Sequence, residues 1–261
     1  MNLLVTALEQ SLIMLPLILG MYISYRILKI TDLTVDGTYV LGAAVFAKFL
    51  SFGIFPALIL AVIAGGVIGV IVSFMLYSVN LQIMQRPNIS TLGMSSLLNI
   101  FNAKNWLLPL MITNIIVIFA VVILLKGRLD LRLRAFGFNK DLLAILGKPA
   151  EYYRTLGLSI SNLLAALTGT ISEQVNGFAD INMGFGVALV GIGAIVIGRH
   201  ILIRNNSFDT FKEIFSCFIG ILFYFITLSI LLHIGIDPIN LKLILGIVLF
   251  ISLRSVKREV V

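Results

Sequence analysis

The sequence predicts an all-α integral membrane protein, and its composition and hydropathy carry this prediction. Of its 261 residues, 59% are hydrophobic and only 12% are charged, and the mean hydropathy is +1.09. Such a composition leaves too little polar surface to cover a water-soluble globule, so most of the exterior must face membrane lipid. Because one crossing takes about 20 residues, we expect a single transmembrane domain over residues 1–261, with about nine crossings and no separate soluble domain.

Eight long apolar runs predict transmembrane helices directly. They lie at about 10–28, 38–52, 54–77, 107–126, 156–175, 185–203, 214–234 and 241–253. A ninth piece, 89–103, is short and rich in small polar residues. This pattern fits a half-helix, a re-entrant segment or a crossing buried among other helices.

The distribution of basic residues decides how the piece at 89–103 is counted. If it crosses, every Lys and Arg lies on one side of the membrane except Lys48, Lys104 and Lys242. Cytoplasmic loops carry an excess of Lys and Arg, so we predict nine crossings, an outside N-terminus and a cytoplasmic C-terminus. The N-terminus shows neither a basic region nor a cleavage site, so no removable signal peptide is expected.

Two spans differ from the rest because they are rich in small residues. The run at 156–175 is spotted with Ser, Thr, Asn, Ala and Gly, and glycines punctuate 185–198. Small residues let helices approach closely, which predicts a central position in the bundle for both spans. The runs at 107–126 and 214–234 are dominated by Leu, Ile, Val and Phe and are predicted to face lipid.

The one sizeable polar segment runs from 127 to 155. Asn139 can cap a short helix that ends near Leu146 and is stopped by Gly147, with Leu142 and Leu143 on one face together with Leu146. Residues alone leave two interpretations open. The helix either docks a partner protein at the inner surface or lies among the lipid headgroups.

Two acidic residues precede the second span. Asp32 and Asp36 flank a short stretch just before Gly37 and an apolar run. One of them can cap the helix N-terminus, where a negative charge is favoured. Alternatively, this glycine-permitted break lines the inner half of a transport pathway, since irregular backbone in a bilayer must face protein or water.

Further polar residues lie in the small-residue span and after it. Glu173 is an ionisable group near the outer end, so it either reaches interfacial water or contacts a binding protein or the ammonium group of a substrate. Asn162 is either a pathway contact or the donor of an interhelical hydrogen bond. The string at 180–184, which contains Asn182, resembles that at 32–37 and opens a span from the opposite face, as in weak inverted repeats.

Several function classes lack the residues they need. The sequence contains no Gly-x-x-x-x-Gly-Lys-Ser/Thr loop for ATP, no His-Glu-x-x-His motif, one cysteine and only two histidines. Neither a metal site nor a nucleophilic catalytic set can be assembled from these parts, so we expect no enzyme activity. The net charge of +7 is typical of the cytoplasmic loops of membrane proteins and does not indicate nucleic-acid binding.

Four motifs in order carry a family resemblance. They are DLTVDGTY at 32–39, YSVNLQIMQRPNI at 77–89, RAFGFNKDLLAILG at 134–147 and QVNGFADINMG at 174–184. Together with the hydropathy profile, they resemble the permeases of bacterial ABC importers in the branched-chain amino acid and ribose superfamily, closest to the tryptophan/tyrosine-type branch. The resemblance covers about 10–253.

The resemblance implies an inverted-repeat bundle that moves an amino acid or similar small solute across the cytoplasmic membrane. Two permease chains, expected to be identical, would form the pathway, and an extracytoplasmic binding protein would deliver the solute. Cytoplasmic ATPase subunits would hold ATP and Mg, and this chain would bind no cofactor itself. The residues implied in ATPase coupling are Arg134, Gly137, Asn139, Leu142, Leu143, Leu146 and Gly147. The candidates for the substrate pathway are Asp32, Asp36, Gly37, Asn162, Glu173 and Asn182.

An ion-coupled secondary transporter is the alternative to this importer. Such a protein needs buried acids at the midplane as coupling sites. The acidic residues here fall mostly at the predicted ends of spans, which favours the importer.

Overall fold

A computed structural model gives the fold, and it describes residues 3–71, 75–94, 96–97, 106–145, 147–202 and 209–235. This part of the chain is almost entirely helical, with one two-stranded antiparallel ladder. The elements, in chain order, are α1 (Leu3–Met21), α2 (Val35–Phe49), α3 (Ile54–Ile71), α4 (Leu76–Met84), β1 (Asn88–Ser90), α5 (Leu107–Lys126), α6 (Arg128–Phe138), α7 (Lys140–Ile145), α8 (Ala150–Asn176), β2 (Phe178–Asp180), α9 (Val187–Leu202) and α10 (Thr210–His233). A π-helical turn at Tyr22–Ile27 extends α1, and a 3-10 turn at Leu50–Phe52 extends α2.

Most of the predicted apolar runs are helices that can cross a bilayer. The long ones are Leu3–Ile27, Val35–Phe52, Leu107–Lys126, Ala150–Asn176 and Thr210–His233. Two shorter apolar helices, Ile54–Gly69 and Val187–Leu202, match two further runs. The predicted all-α membrane class is confirmed. The last predicted run, 241–253, lies outside the described residues.

The long helix α8 lies at the centre of the described bundle, as its small residues predict. Helices α1, α2 and α3 all pack against it. At Gly42 an added Cβ atom would collide with the carbonyl oxygen of Ala166, and at Gly169 with that of Tyr39. The backbones of α2 and α8 therefore touch at a distance that only glycine permits.

Helix α5 lies on the outside of the bundle. Its side chains Ile115, Ile116, Phe119 and Ile123 are each more than half exposed. Exposed apolar residues in such a row are what lipid contact requires. The predicted lipid-facing position of 107–126 agrees with this arrangement.

The directions of the helices define two ends of the bundle. Helix α1 runs antiparallel to α8, because Leu12 packs against Ile171 near one end and Ser24 contacts Ser161 further along. We call the end that holds residues 86–94 and 173–182 the strand end, and the end that holds residues 126–150 the segment end. The excess of Lys and Arg assigns the segment end to the cytoplasm.

The interpretation of 89–103 as a crossing is wrong for the part that the structure describes. Strand β1 pairs with β2 so that Asn88 lies opposite Asp180. The N–H of Ile181 donates to the carbonyl of Pro87 at 3.0 Å. After the segment, Trp106 packs with Leu12 and Ile171 at the same end. Both flanks of this segment therefore lie at the strand end, and Arg86, predicted to be cytoplasmic, lies there too.

The chain has already returned to the strand end one step earlier, through the short helix α4. Helix α3 runs towards Thr38, and α4 runs back beside α2. The side chain of Asn80 donates to the carbonyl of Gly37 at 3.0 Å, and Met84 packs against Ala43 and Ala47. The apolar run at 54–77 hides this reversal because hydropathy does not change where the chain turns. Moving Arg86 to the strand end leaves the excess of basic residues at the segment end.

Candidate functional site

The polar segment between α5 and α8 folds into two short helices joined at Asn139. This residue is extended, and its side-chain oxygen accepts a hydrogen bond of 2.9 Å from the N–H of Asp141. Asn139 thus caps α7 in the way its position suggests. Gly147 follows in the left-handed conformation, with φ of +66°. Leu146 lies outside the described residues, as do the side chains of Leu142 and Ala144.

A side chain and a backbone contact fix this segment to the bundle. Leu143, expected on the docking face, is only 1% exposed and belongs to the main hydrophobic core. A Cβ atom at Gly137 would collide with the carbonyl oxygen of Ile27. The side chain of Leu143 therefore packs inside the bundle rather than on the surface of the segment, and its role in ATPase coupling stays a prediction.

Arg134 also holds the segment together. Its Nε donates to both carboxylate oxygens of Asp130, at 2.9 and 2.8 Å, one helical turn earlier. Partial burial opposes the charge of Arg134, but its interactions with Asp130 and Tyr22 together outweigh the burial and raise the pKa of the guanidinium. Arg134 is therefore a cation that stabilises α6.

Two large apolar side chains of the segment are exposed. Phe138 at the end of α6 is 65% exposed, and Ile145 at the end of α7 is 81% exposed. The ammonium group of Lys29 lies 4.2 Å from the centre of the Phe138 ring. We call Phe138 and Ile145 the docking face. Large apolar side chains exposed at the polar end of a membrane protein indicate contact with another protein.

A buried polar network connects the start of α2 with the middle of α8. The side-chain amide of Asn162 donates to Asp32 at 2.9 Å, and its oxygen accepts from Thr38 at 2.7 Å. The N–H of Thr34 donates to the other carboxylate oxygen of Asp32 at 2.9 Å. Asp32 and Asn162 are almost completely buried. Of the two roles left open for Asn162, the structure shows the interhelical hydrogen bond.

Asp36 caps a helix other than its own. Its carboxylate accepts hydrogen bonds from the N–H groups of Gly186, at 3.1 Å, and Ala188, at 2.6 Å. These groups belong to the first turn of α9 and the residue before it. The expectation that Asp36 or Asp32 caps α2 is corrected, because no side chain caps the N-terminus of α2. The negative charge of Asp36 instead faces the positive end of the α9 dipole.

The two helix breaks therefore meet inside the bundle. Gly184 lies against the backbone of Asp36, where a Cβ atom would collide with the carbonyl oxygen. Gly37 is half-buried and packs against Leu76. Sequence reasoning placed the two breaks at opposite faces of the membrane, but the hydrogen bonds of Asp36 require them to be in contact. Asn182 is an exposed turn residue whose N–H donates to Asp180 at 2.8 Å, so it does not join this contact.

Glu173 lies in a separate place, at the strand end. Its side chain is completely buried and accepts a hydrogen bond from the hydroxyl of Thr91. Its Oε2 has no partner within the described part of the chain. Its burial disfavours the alternative in which Glu173 reaches interfacial water. Glu173 lines a cavity of about 200 Å³ together with Thr91, Gln174 and Trp106.

Sequence reasoning missed several residues of these sites. Thr34, Thr38 and Thr91 bind the predicted acids and amide, yet a threonine in an apolar run is too common to be singled out. Trp106 had a usable signal, because it is the single tryptophan of the chain. Its contact with the cavity depends on the reversal at α4, which the hydropathy profile does not show.

The fold and these sites define a class of protein: a helical bundle that spans a membrane, with helix breaks meeting inside it and a structured segment at one end. A family described as "Branched-chain amino acid transport system / permease component" matches residues 95–253. The tyrosine transport system permease protein of Clostridioides difficile (strain R20291) is 32% identical over 96% of this chain and 90% of its own length.

A second relative is the uncharacterized protein RP368 of Rickettsia prowazekii (strain Madrid E), which is 74% identical over 99% of both chains. No solved structure matches the chain. The chain belongs to the family of branched-chain amino acid transport permease components. It is the permease subunit of an ABC-type solute importer and a multi-pass protein of the bacterial cytoplasmic membrane.

Proposed function

We propose that this permease imports an amino acid or a closely related solute, and that a separate cytoplasmic ATPase drives it through the docking face. The observation that carries this proposal is the segment at 127–150, which is fixed to the bundle on one side and exposes Phe138 and Ile145 on the other. The name of the relative from Clostridioides difficile supports an amino acid as the solute.

The contacts of the segment explain how movement of an ATPase would reach the pathway. Gly137 touches the end of the α1 extension at Ile27, and Gly157 of α8 packs against Leu28 and Leu133. Because these are close contacts between backbone and branched side chains, a displacement of the segment must displace α1 and α8 with it. Differential binding of the ATPase to two positions of the segment would then favour one access state.

The partners follow from this arrangement. ATP and Mg belong to the ATPase subunits, since this sequence lacks a phosphate-binding loop. A second, identical permease chain would complete the pathway. An extracytoplasmic binding protein would deliver the solute at the strand end. Within the permease, the pathway candidates are the contact between Asp36 and α9, the neighbouring network of Asp32 and Asn162, and the cavity at Glu173.

The experiment tests the docking face with matched variants. The affinity-tagged full chain is purified from its native membrane, and we expect an ABC ATPase to co-purify and ATP to drive uptake of L-tyrosine into proteoliposomes. Ile145→Glu should lose the ATPase, because a charge replaces a large apolar contact. Leu4→Glu is the control. Leu4 is exposed like Ile145, but it lies at the start of α1, at the strand end of the bundle.

Two results would contradict the proposal. One is an ATPase that stays bound to the Ile145→Glu variant, with ATP-driven uptake unchanged. The other is the absence of an ATPase from the purified protein together with uptake that needs a cation gradient, which would indicate an ion-coupled secondary transporter.

A further inference from the structure

The cavity at the strand end contains an acid whose hydrogen bonding is incomplete. Glu173 accepts one hydrogen bond, from Thr91, and its Oε2 accepts none within the described part of the chain. Both polar atoms of the neighbouring amide of Gln174 have partners, since its oxygen accepts from the N–H of Leu97 at 3.1 Å and its nitrogen donates to the carbonyl of Thr170 at 3.3 Å. Glu173 is therefore the group of this cavity with acceptor capacity to spare.

No cation of the described chain compensates Glu173. The ion pairs formed by the described residues involve Asp130, Glu151 and Glu213. A buried carboxylate without a counter-ion is costly in a membrane protein, and such groups usually meet a cation from a substrate or a partner. An ionised Glu173 would therefore take its counter-ion from outside the described chain.

The walls of the cavity indicate which cation fits. Trp106 lies in the wall, and indole is the aromatic group that attracts an ammonium cation most strongly. Leu50, Leu92 and Val175 provide apolar surface beside these two groups. The volume of about 200 Å³ equals roughly six water molecules. This is room for an ammonium group and part of the side chain that follows it.

We propose that Glu173 and Trp106 form a binding site for the primary ammonium group of the transported solute. The site lies at the strand end, which faces the side from which an importer receives its solute. This inference rests on the proposed function, because it names the solute group that the pathway recognises first. The cation donates to Oε2 of Glu173, while Thr91 continues to donate to the other carboxylate oxygen.

The single tryptophan makes occupancy of the site directly measurable. The full-length chain in lipid nanodiscs is excited at the red edge of the indole band, where tyrosine and phenylalanine do not absorb. The probes are L-phenylalanine, phenethylamine and 3-phenylpropionate. We expect saturable changes in Trp106 emission with the first two, which carry an ammonium group, and no change with the third, which has only a carboxylate.

Three variants test the role of Glu173. Glu173→Gln should weaken the response to both amines by on the order of tenfold or more, because a neutral acceptor replaces a charge. Glu151→Gln is the control on the same helix, at the opposite end and exposed. Thr91→Val frees the oxygen to which Thr91 donates, so that both carboxylate oxygens can accept from the ammonium group, and it should tighten amine binding by about three- to tenfold, the effect of one hydrogen bond.

The gain expected for Thr91→Val keeps the test decisive if Glu173→Gln does not fold, since a damaged protein would not bind more tightly. Equal responses to phenethylamine and 3-phenylpropionate would overturn the ammonium site. So would amine binding that Thr91→Val leaves unchanged or weakens. If the site fails while ATP still drives L-tyrosine uptake, the proposed function stands. Loss of the ATPase from the native complex would instead contradict the function itself.

Discussion

Single polar side chains connect the helices of this permease at defined points. Asn162 is the clearest case, since it donates to Asp32 and accepts from Thr38, joining α8 to the break before α2. All three residues are buried, so none of these groups can turn to water when a partner is removed. The stability of the bundle should therefore depend on this amide more than on its neighbours.

Replacing Asn162 tests this dependence. Asn162→Leu keeps the size of the side chain but removes the donor to Oδ2 of Asp32 and the side-chain acceptor of Thr38, at a cost of about 1–3 kcal/mol. The melting temperature in mild detergent should fall clearly. Asn88→Leu is the control, because Asn88 makes its 3.3 Å hydrogen bond to Asp180 at the exposed surface. Equal melting temperatures for the two variants would show that the buried network adds no stability.

Asp36 gives a second residue-scale prediction. Asp36→Asn keeps one acceptor oxygen but removes the charge that faces the N-terminus of α9, with an expected loss of about 1–2 kcal/mol. We expect lower ATP-driven uptake by the variant while the ATPase remains bound, because the docking face is remote from this contact. Uptake at the wild-type rate would mean that the contact does not contribute to transport.

At the scale of elements, close contact between α2 and α8 depends on glycine. Gly169→Ala should cost about 1–3 kcal/mol, because its Cβ atom collides with the backbone of α2. Gly66→Ala is the matched control, since the nearest atom to its added Cβ is an ordinary 3.5 Å away, on Leu163. Thermal unfolding of both variants measures the difference. A drop for Gly66→Ala as large as for Gly169→Ala would contradict the assigned packing.

The elements also show which features the sequence can predict. Apolar runs and small-residue content correctly indicate the long helices, the central α8 and the outer α5. The reversal of direction between α3 and α4 is not predicted, because the residues around it are as apolar as those of a continuous span. Asn139 could be identified as a cap from its side chain alone. The partners of Asp36 could not be identified from the sequence, because Gly186 and Ala188 contribute only backbone N–H groups, which nearly every residue carries.

At the scale of the whole molecule, the return of the chain to the strand end before Arg86 changes which residues face the outside of the cell. Asn88→Cys should react with an impermeant maleimide on intact cells, because the strand end is extracytoplasmic. Ile145→Cys should react only after permeabilisation. The single native cysteine, Cys217, is buried and provides a low background. If Asn88→Cys is labelled only after permeabilisation, residue 88 is cytoplasmic and the original prediction that 89–103 crosses the membrane is correct.

The contact between Asp36 and α9 has a consequence for biogenesis. The two partners are separated by 150 residues along the chain, so α2 enters the membrane long before the amide groups that satisfy its carboxylate have been synthesised. The two halves of the permease can therefore close around this contact only late in translation. Nascent chains that stop before Gly186 should leave α2 accessible to proteases and to the insertion machinery, whereas chains a few helical turns longer should protect it.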